Sequence, residues 1–289
     1  ALLVREAIAM SKQNMLYLGG ELRVFNGKYY EVGGDDFLKV VVEVNKMLQY
    51  PLSAAYNPNF LRSFDAALSG LLKIREDQNE VPNAINFRDG VLHITPTSMK
   101  FSEEHSPDDV FTYCLPFGYK GALRASRHWD AFIKKAIPED DYRNYVLASM
   151  CNAIALDPMK AQRMTLLIGV GASGKSTLID AIRATLGDDN VCSVDDLQNL
   201  TKDDSRYRLS LASSILCTCG DASGNIGNKD VLKQIISKEE LAARQLYKEI
   251  EYFKPRASLI VASNEMGFTH ALGDSGISRR VDIIEFRHP

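Results

Sequence analysis

The chain has 289 residues and a formal net charge of −3, from 34 lysines and arginines against 37 aspartates and glutamates. Hydrophobic residues make up 45% of the sequence and charged residues 25%, a balance that excludes disordered and collagen-like chains. No apolar run approaches the roughly 18 residues that a bilayer span needs, so no membrane partner is expected. Because the chain is slightly acidic, any contact with DNA must come from a local basic patch.

Cysteine use favours a reducing compartment. The five cysteines are an odd number and include no CxxC pair, so the sequence predicts neither a disulfide framework nor a zinc site. Cys217 and Cys219 alternate within an apolar run and are expected on a buried strand. We therefore expect a cytoplasmic protein.

The first 160 residues are predicted to form a mixed, mostly helical support and oligomerisation domain. Asn26-Gly27 and Asp89-Gly90 each separate two short apolar runs, which is typical of a β-hairpin. Apolar residues recur at helical spacing over residues 60–72, after Asn57-Pro58, and a second helix is expected over residues 142–156. No group in this half has the spacing of a catalytic site.

A second domain is predicted over residues 161–289, with the boundary near residues 157–163. Four short apolar runs here alternate with helical stretches, which indicates an α/β fold with a mainly parallel buried sheet. These runs span residues 164–168, 215–219, 259–262 and 281–284.

Residues 169–176 carry the motif with the clearest chemistry. Their sequence, Gly-Val-Gly-Ala-Ser-Gly-Lys-Ser, fits GxxxxGK[ST] between an apolar strand and an amphipathic helix. Glycines let backbone N–H groups surround a phosphate, and the helix N-terminus adds its dipole. Lys175 is expected to neutralise the β- and γ-phosphates, and Ser176 to ligate Mg²⁺. The residues predicted to bind a nucleoside triphosphate are Gly169, Gly171, Ala172, Ser173, Gly174, Lys175, Ser176 and Thr177.

Four further residues complete the predicted catalytic site. Asp221, expected at the end of a neighbouring strand, is the second predicted Mg²⁺ ligand, although Ala222 stands where many ATPases have an adjacent acid. Asn264 ends another apolar run and is expected to contact the attacking water or the γ-phosphate. Arg279 and Arg280 precede the last strand. An arginine inserted into a neighbouring subunit's site stabilises transition-state charge, and Arg280 is the preferred candidate.

This order of motifs resembles the superfamily 3 helicases, of the AAA+ primase–helicase type found in poxviruses, phages and satellite mobile elements. Residues 231–255 are similar to that family's additional motif, and residues 86–94 resemble its Asn-Gly-Val-Leu-Asp-Leu strand pair, with Asp89 and His93 as departures. The residues from Ser237 to Glu240 stand where the family often has a glycine pair, so the local turn differs from the family pattern.

The resemblance implies an AAA+ P-loop ATPase in a homo-oligomeric, hexameric ring that hydrolyses ATP between subunits and pulls DNA through its channel. It implies a role in the replication of a phage or mobile element, and so a place in a bacterial host or a virus-infected cell. A primase or an origin-binding winged helix is then expected outside this chain, which begins with Ala and is expected to be a fragment.

Single-stranded or fork DNA is the expected partner. Residues 225–258 contain seven lysines and arginines and five aspartates and glutamates, with aromatic residues among them. That mixture suits a channel loop that grips a sugar-phosphate strand, although lysines and glutamates of an exposed hairpin also pair with each other. Lys248 is the first predicted DNA contact, followed by Arg244 and Lys233.

Two alternative functions use the same loop. A small-molecule or nucleoside kinase usually has an arginine-rich lid, whereas residues 187–201 contain no Arg or Lys and four aspartates. A nucleotide-gated DNA-binding replication protein with weak ATPase activity is compatible with the single acid at Asp221. ATP turnover separates this protein from a motor.

Overall fold

The computed structural model describes residues 14–18, 21–47, 49, 51, 53, 56–72, 84–122, 126–155, 162–202, 206–220, 222, 226–244, 250–264 and 273–287. The chain divides into two compact units, each discontinuous in sequence: Ala1–Val81 with Glu103–Cys114, and Pro82–Ser102 with Leu115–Pro289. The division between these units along the sequence does not fall near residue 160, where the domain boundary was predicted. The functional division into residues 1–160 and 161–289 stays a prediction.

The first unit contains an antiparallel sheet of three strands, β1 (Met15–Leu18), β2 (Glu21–Phe25) and β3 (Tyr30–Val32). The hairpin predicted at Asn26-Gly27 is confirmed, since Phe25 pairs with Tyr30 across a four-residue loop. Helices α1 (Gly34–Met47) and α2 (Pro58–Leu72) follow.

Helix α2 begins as its sequence predicts. Pro58 occupies the first helical position, and the Oδ1 of Asn57 accepts a hydrogen bond from the N–H of Asn59 at 2.9 Å. Phe64 and Leu68 pack against valines of α1, which forms the buried core of this unit.

The second unit begins with another antiparallel sheet, β4 (Ala84–Phe87), β5 (Gly90–Ile94) and β6 (Met99–Ser102). The hairpin predicted at Asp89-Gly90 is confirmed, because Phe87 pairs with Gly90. A 3₁₀ turn (Pro107–Asp109) lies in the other unit, and then the chain returns to the second one. The helices that come next are α3 (Tyr119–Ala122), α4 (Arg127–Ala136) and α5 (Asp140–Ala155). Helix α5 confirms the second predicted helix.

The centre of the second unit is a five-stranded parallel sheet. Its strands are β7 (Met164–Gly169), β8 (Val191–Val194), β9 (Leu216–Cys219), β12 (Ser258–Ser263) and β13 (Val281–Phe286). They lie in the order β13-β7-β12-β9-β8. Every residue of β9 and β12 is buried, as continuous apolar runs predict for a parallel sheet covered on both faces. Cys217 and Cys219 are each 1% exposed, which confirms their predicted strand.

Helices and a hairpin connect these strands. The helices are α6 (Lys175–Leu186), α7 (Gln198–Thr201), α8 (Ser210–Ser213), α9 (Lys229–Ser237) and α10 (Ser275–Ser278), with 3₁₀ turns at Asp188–Asn190 and Arg206–Leu209. The antiparallel hairpin pairs β10 (Leu241–Arg244) with β11 (Ile250–Phe253). Among the described residues, no helix combines the length and the apolar character that a bilayer crossing requires.

Candidate nucleotide-binding site

The loop that joins β7 to α6 bends sharply. Two of its residues have a positive φ: Ala172, at 62°, and Gly174, at 101°. Glycine adopts such an angle without a steric cost. Gly174 is the N-cap of α6, whose N-terminus has no side-chain cap and no acidic residue in its first turn. This end of α6 therefore presents backbone N–H groups and the positive end of the helix dipole, the combination that favours an anion.

Lys175 folds into this loop. Its Nζ donates hydrogen bonds to the carbonyl oxygens of Gly169 at 2.7 Å and Val170 at 3.0 Å, and lies 3.4 Å from the Oγ of Ser173. The residue is only 6% exposed. These contacts hold the ammonium group inside the loop. The arrangement fits a polyphosphate that takes over the lysine as its counter-ion.

Two of the three glycines in the motif are constrained by their surroundings. A Cβ at Gly169 would lie 2.5 Å from the carbonyl oxygen of Phe286, which no backbone tolerates. A Cβ at Gly174 would lie 3.2 Å from the Cε2 of Phe132, in addition to the strained φ. Gly171 has open space at the same position. The first and third glycines thus fix the shape of the loop, and the second leaves room beside it.

Strand β12 brings Asn264 to the same edge of the sheet as the loop. Ser263 pairs with Ile168 in the parallel register, so Asn264 follows level with Gly169. Asn264 is exposed there. This is where an amide that contacts a γ-phosphate or a water molecule was predicted.

Strand β9, which leads to Asp221, does not pair with β7, because β12 lies between them. The expectation that the acid follows a strand next to β7 is therefore wrong by one strand. Asp221 itself lies outside the described residues. Just beyond it, the N–H of Ala222 donates to the carbonyl oxygen of Ala262 at 2.8 Å, and the Oγ of Ser263 donates to the carbonyl oxygen of Ala222 at 3.2 Å.

The predicted metal site is described only in part. Ser176 is exposed in the first turn of α6, and its hydroxyl oxygen is of the hard type that Mg²⁺ prefers. In the part of the chain that the structure describes, no group of three His, Cys, Asp or Glu side chains could hold a metal ion. A hydrated Mg²⁺ needs fewer protein ligands than that, since it keeps several waters and binds substrate phosphates.

The two arginines before β13 differ in their surroundings. The Nε of Arg280 donates to the Oγ of Ser237 at 2.8 Å, and its Nη1 donates to the carbonyl oxygen of Gly276 at 2.7 Å. Arg279 is exposed. Arg280 was predicted to reach a neighbouring subunit in preference to Arg279. The geometry does not favour this order, because Arg280 makes contacts within its own chain.

Lys233 makes ion pairs where a DNA contact was predicted. Its Nζ lies 3.1 Å from the Oδ2 of Asp274 and 3.2 Å from the Oδ1 of Asp230. The Asp274 carboxylate raises the pKa of Lys233, and the lysine in turn lowers the pKa of Asp274. Together with Arg280, this pair ties the segment around α10 to helix α9.

The other two predicted DNA contacts are described less fully. Lys248 lies outside the described residues. Arg244 ends strand β10, but its side chain is likewise outside the described part. The hairpin that would carry these residues is present as predicted, with Leu241 paired to Phe253.

Two residues ahead of the predicted domain boundary make contacts that the sequence does not predict, one with the loop and one with strand β13. Phe132 of α4 lies against Gly174, and the hydroxyl of Tyr142 in α5 accepts a hydrogen bond from the N–H of Glu285 in β13 at 2.7 Å. Arg287 lies over the Tyr142 ring at 5.6 Å. No motif marks these residues; the helical spacing of Trp129, Phe132 and Ile133 is the one local signal that α4 has an apolar face.

Comparison with known proteins places two families along the chain. Residues 167–280 match a family of unknown function, DUF5906, and residues 65–138 match a family described as D5 N terminal like. A protein of Acanthamoeba polyphaga mimivirus, named "Putative helicase L207/L206", is 28% identical over 255 residues. The match covers 84% of this chain and 24% of the mimivirus protein, so the chain spans about a quarter of that relative's length.

Solved structures share the fold. Two apo structures of the NrS-1 C terminal region match with TM-scores of 0.51 and 0.52 at 13% identity. The matches cover 98% of this chain and 60% and 61% of those chains. The chain is thus a mixed α/β protein with a five-stranded parallel sheet, preceded by a helical region.

Proposed function

We propose that the chain is the ATP-hydrolysing part of a DNA helicase or translocase of the superfamily 3, AAA+ type. The observation that carries the proposal is the Lys175 ammonium group, held inside a loop that ends in an uncapped helix N-terminus. The name of the mimivirus relative and the D5 N terminal like match support the helicase class and a role in replication. The replicating element would be a virus, a phage or a mobile element.

The site residues divide the work of hydrolysis. Bound ATP with Mg²⁺ supplies a γ-phosphoryl group that water can accept. The backbone N–H groups of the loop would bind the phosphates, and Lys175 would exchange its carbonyl partners for phosphate oxygens. Ser176 and Asp221 would hold the metal, and Asn264 would orient the attacking water.

A neighbouring subunit would complete the site. Positive charge placed against the transferring phosphoryl group in trans is worth 10³–10⁵ in rate in known cases. We assign this role to Arg279 because it is exposed, with Arg280 as its positioning residue. A ring of six such subunits would also bring six copies of the β10–β11 hairpin around single-stranded or fork DNA, and so concentrate a modest basic charge.

A second candidate is a nucleotide-gated DNA-binding protein with weak ATPase activity. One feature favours it: Ala222 stands in place of a second acid. In this case ATP would be bound and only slowly hydrolysed, and DNA would not accelerate turnover.

ATP turnover with and without single-stranded DNA tests the proposal. We expect the wild-type chain to hydrolyse ATP faster when DNA is present, and Lys175→Ala to lose turnover by on the order of 10²-fold or more, since one charged donor to the transition state is removed. Lys100→Ala, an exposed lysine in β6, is the matched control and should behave as wild type. Turnover that survives Lys175→Ala would refute the site; turnover without DNA stimulation would favour the second candidate.

A further inference from the structure

Helix α4 lies directly against the phosphate-binding loop. A Cβ built on Gly174 would lie 3.2 Å from the Cε2 and 3.5 Å from the Cζ of Phe132, and 3.7 Å from the Cβ of Ala136. The Phe132 ring therefore lies close beside the N-cap of α6. Both helices belong to the same compact unit.

Phe132 is half of an aromatic pair that is not fully buried. Its ring centroid lies 5.8 Å from that of Trp129, with an interplanar angle of 44°. Both residues are half-buried, whereas Ile133 and Ala136 on the same helix are 3% and 7% exposed. Part of the surface of this aromatic pair is therefore accessible to a ligand.

We propose that Phe132, supported by Trp129, is the surface on which the base of the bound nucleotide stacks. The inference rests on the proposed nucleotide-binding function and adds a specificity contact to it. A triphosphate bound by the loop leaves its nucleoside outside the ring of N–H groups, and a flat base gains most from an aromatic face next to that loop. Base–aromatic stacking tolerates different bases because every base has a π-face, so this contact selects for a nucleoside over a bare polyphosphate.

The charge on α4 is compatible with an anionic ligand. The exposed titratable side chains of this helix are mostly basic, with a single acid among them. They are Arg127, His128, Asp130, Lys134 and Lys135. A polyphosphate approaching the loop along this helix therefore meets no net repulsion.

The test compares two ligands that differ only in whether they carry a nucleoside. Calorimetric titration measures the Kd of a non-hydrolysable ATP analogue and of inorganic tripolyphosphate, both with Mg²⁺, for the wild type and for Phe132→Leu. Leucine keeps an apolar contact with Gly174 but has no aromatic face, so the loop is preserved. Phe117→Leu, another half-buried aromatic residue of this unit, is the control.

We expect Phe132→Leu to weaken binding of the nucleotide analogue about tenfold, the size of one lost stacking contact, and to leave tripolyphosphate binding unchanged. Fluorescence of Trp129, the chain's single tryptophan, should change on addition of the analogue and stay constant with tripolyphosphate. Equal weakening of both ligands, or of neither, would overturn the stacking role and leave Phe132 as support for the loop. A wild-type chain that binds neither ligand would instead overturn the nucleotide site itself.

Discussion

The Nε of Arg280 donates a hydrogen bond to the Oγ of Ser237 at 2.8 Å, across 43 residues of sequence. This contact ties the segment before β13 to the end of α9, and Arg279 next to it remains exposed. We predict that Arg280→Ala lowers the free energy of unfolding by about 1–3 kcal/mol, because hydrogen bonds that involve a charged group are lost. Urea denaturation measures the change.

Arg279→Ala is the matched control for this prediction. It should leave the free energy of unfolding and the affinity for ATP unchanged while ATP hydrolysis is lost, since an exposed side chain contributes little to folding. An Arg280→Ala variant as stable as the wild type would contradict the structural role given to Arg280.

The glycines of the loop give a second prediction. Gly169→Ala places a Cβ 2.5 Å from the backbone oxygen of Phe286, so β13 must shift away from β7. We expect a loss of about 1–3 kcal/mol in stability, as for other overpacked sites. Gly171→Ala meets nothing within 4 Å and should unfold at the wild-type temperature. Thermal unfolding of the two variants tests this, and equal melting temperatures would show that the loop does not press on β13.

Lys238 predicts how stability depends on pH. Its Nζ donates to the carbonyl oxygens of Arg256 and Ala257, and burial lowers its pKa from 10.5 to about 7. Between these two values the unfolded chain carries a proton on Lys238 that the folded chain lacks, so stability should rise as the pH increases above 7. Lys238→Met should remove that rise.

The nearby thiols have to be controlled in this experiment. A hydrogen bond from Cys217 lowers the pKa of Cys192 to about 6, which by the same sign rule adds its own rise in stability above pH 6. We therefore compare Cys192→Ser with Cys192→Ser/Lys238→Met by urea denaturation from pH 7 to pH 9. Parallel curves for the two variants would mean that Lys238 stays charged in the folded protein.

The two lysines predicted to contact DNA should differ in how their substitution changes DNA binding. Lys248→Ala should weaken binding to single-stranded DNA and reduce the slope of log K against log salt by about 1, the effect of one phosphate contact. Lys233→Ala should leave this slope unchanged, because Asp274 and Asp230 already pair with that lysine. Lys248→Arg, which keeps the charge, is the control. A reduced slope for Lys233→Ala would contradict this expectation and support the DNA contact predicted for Lys233.

The sequence was sufficient for features that arise from local patterns. The glycine-containing loop between β7 and α6, both hairpins and the parallel strands are encoded by turn residues, short apolar runs and helical spacing within a few residues of each other. Contacts between distant segments leave no such trace. Phe132 lies 42 positions before Gly174, and the Lys233–Asp274 and Arg280–Ser237 pairs join segments about 40 residues apart.

For that reason the contacts that Lys233 and Arg280 make within the chain could not be foreseen, and the binding roles of these two residues stay predictions. A charged side chain in a linear pattern does not reveal whether it is paired inside the fold. The strand order could not be predicted either, because the position of β12 between β7 and β9 depends on tertiary packing. The pattern of apolar residues over residues 115–155 likewise does not show that this segment shares a compact unit with the sheet.

Hydrolysis across a subunit boundary is tested most directly by co-expressing Lys175→Ala and Arg279→Ala subunits and measuring ATP turnover of the mixed oligomers. Each variant alone should be inactive. In mixed rings, a quarter of the interfaces would join an intact loop to an intact Arg279, so we predict recovery of about a quarter of the wild-type rate. A mixture as inactive as either variant alone would contradict the shared site.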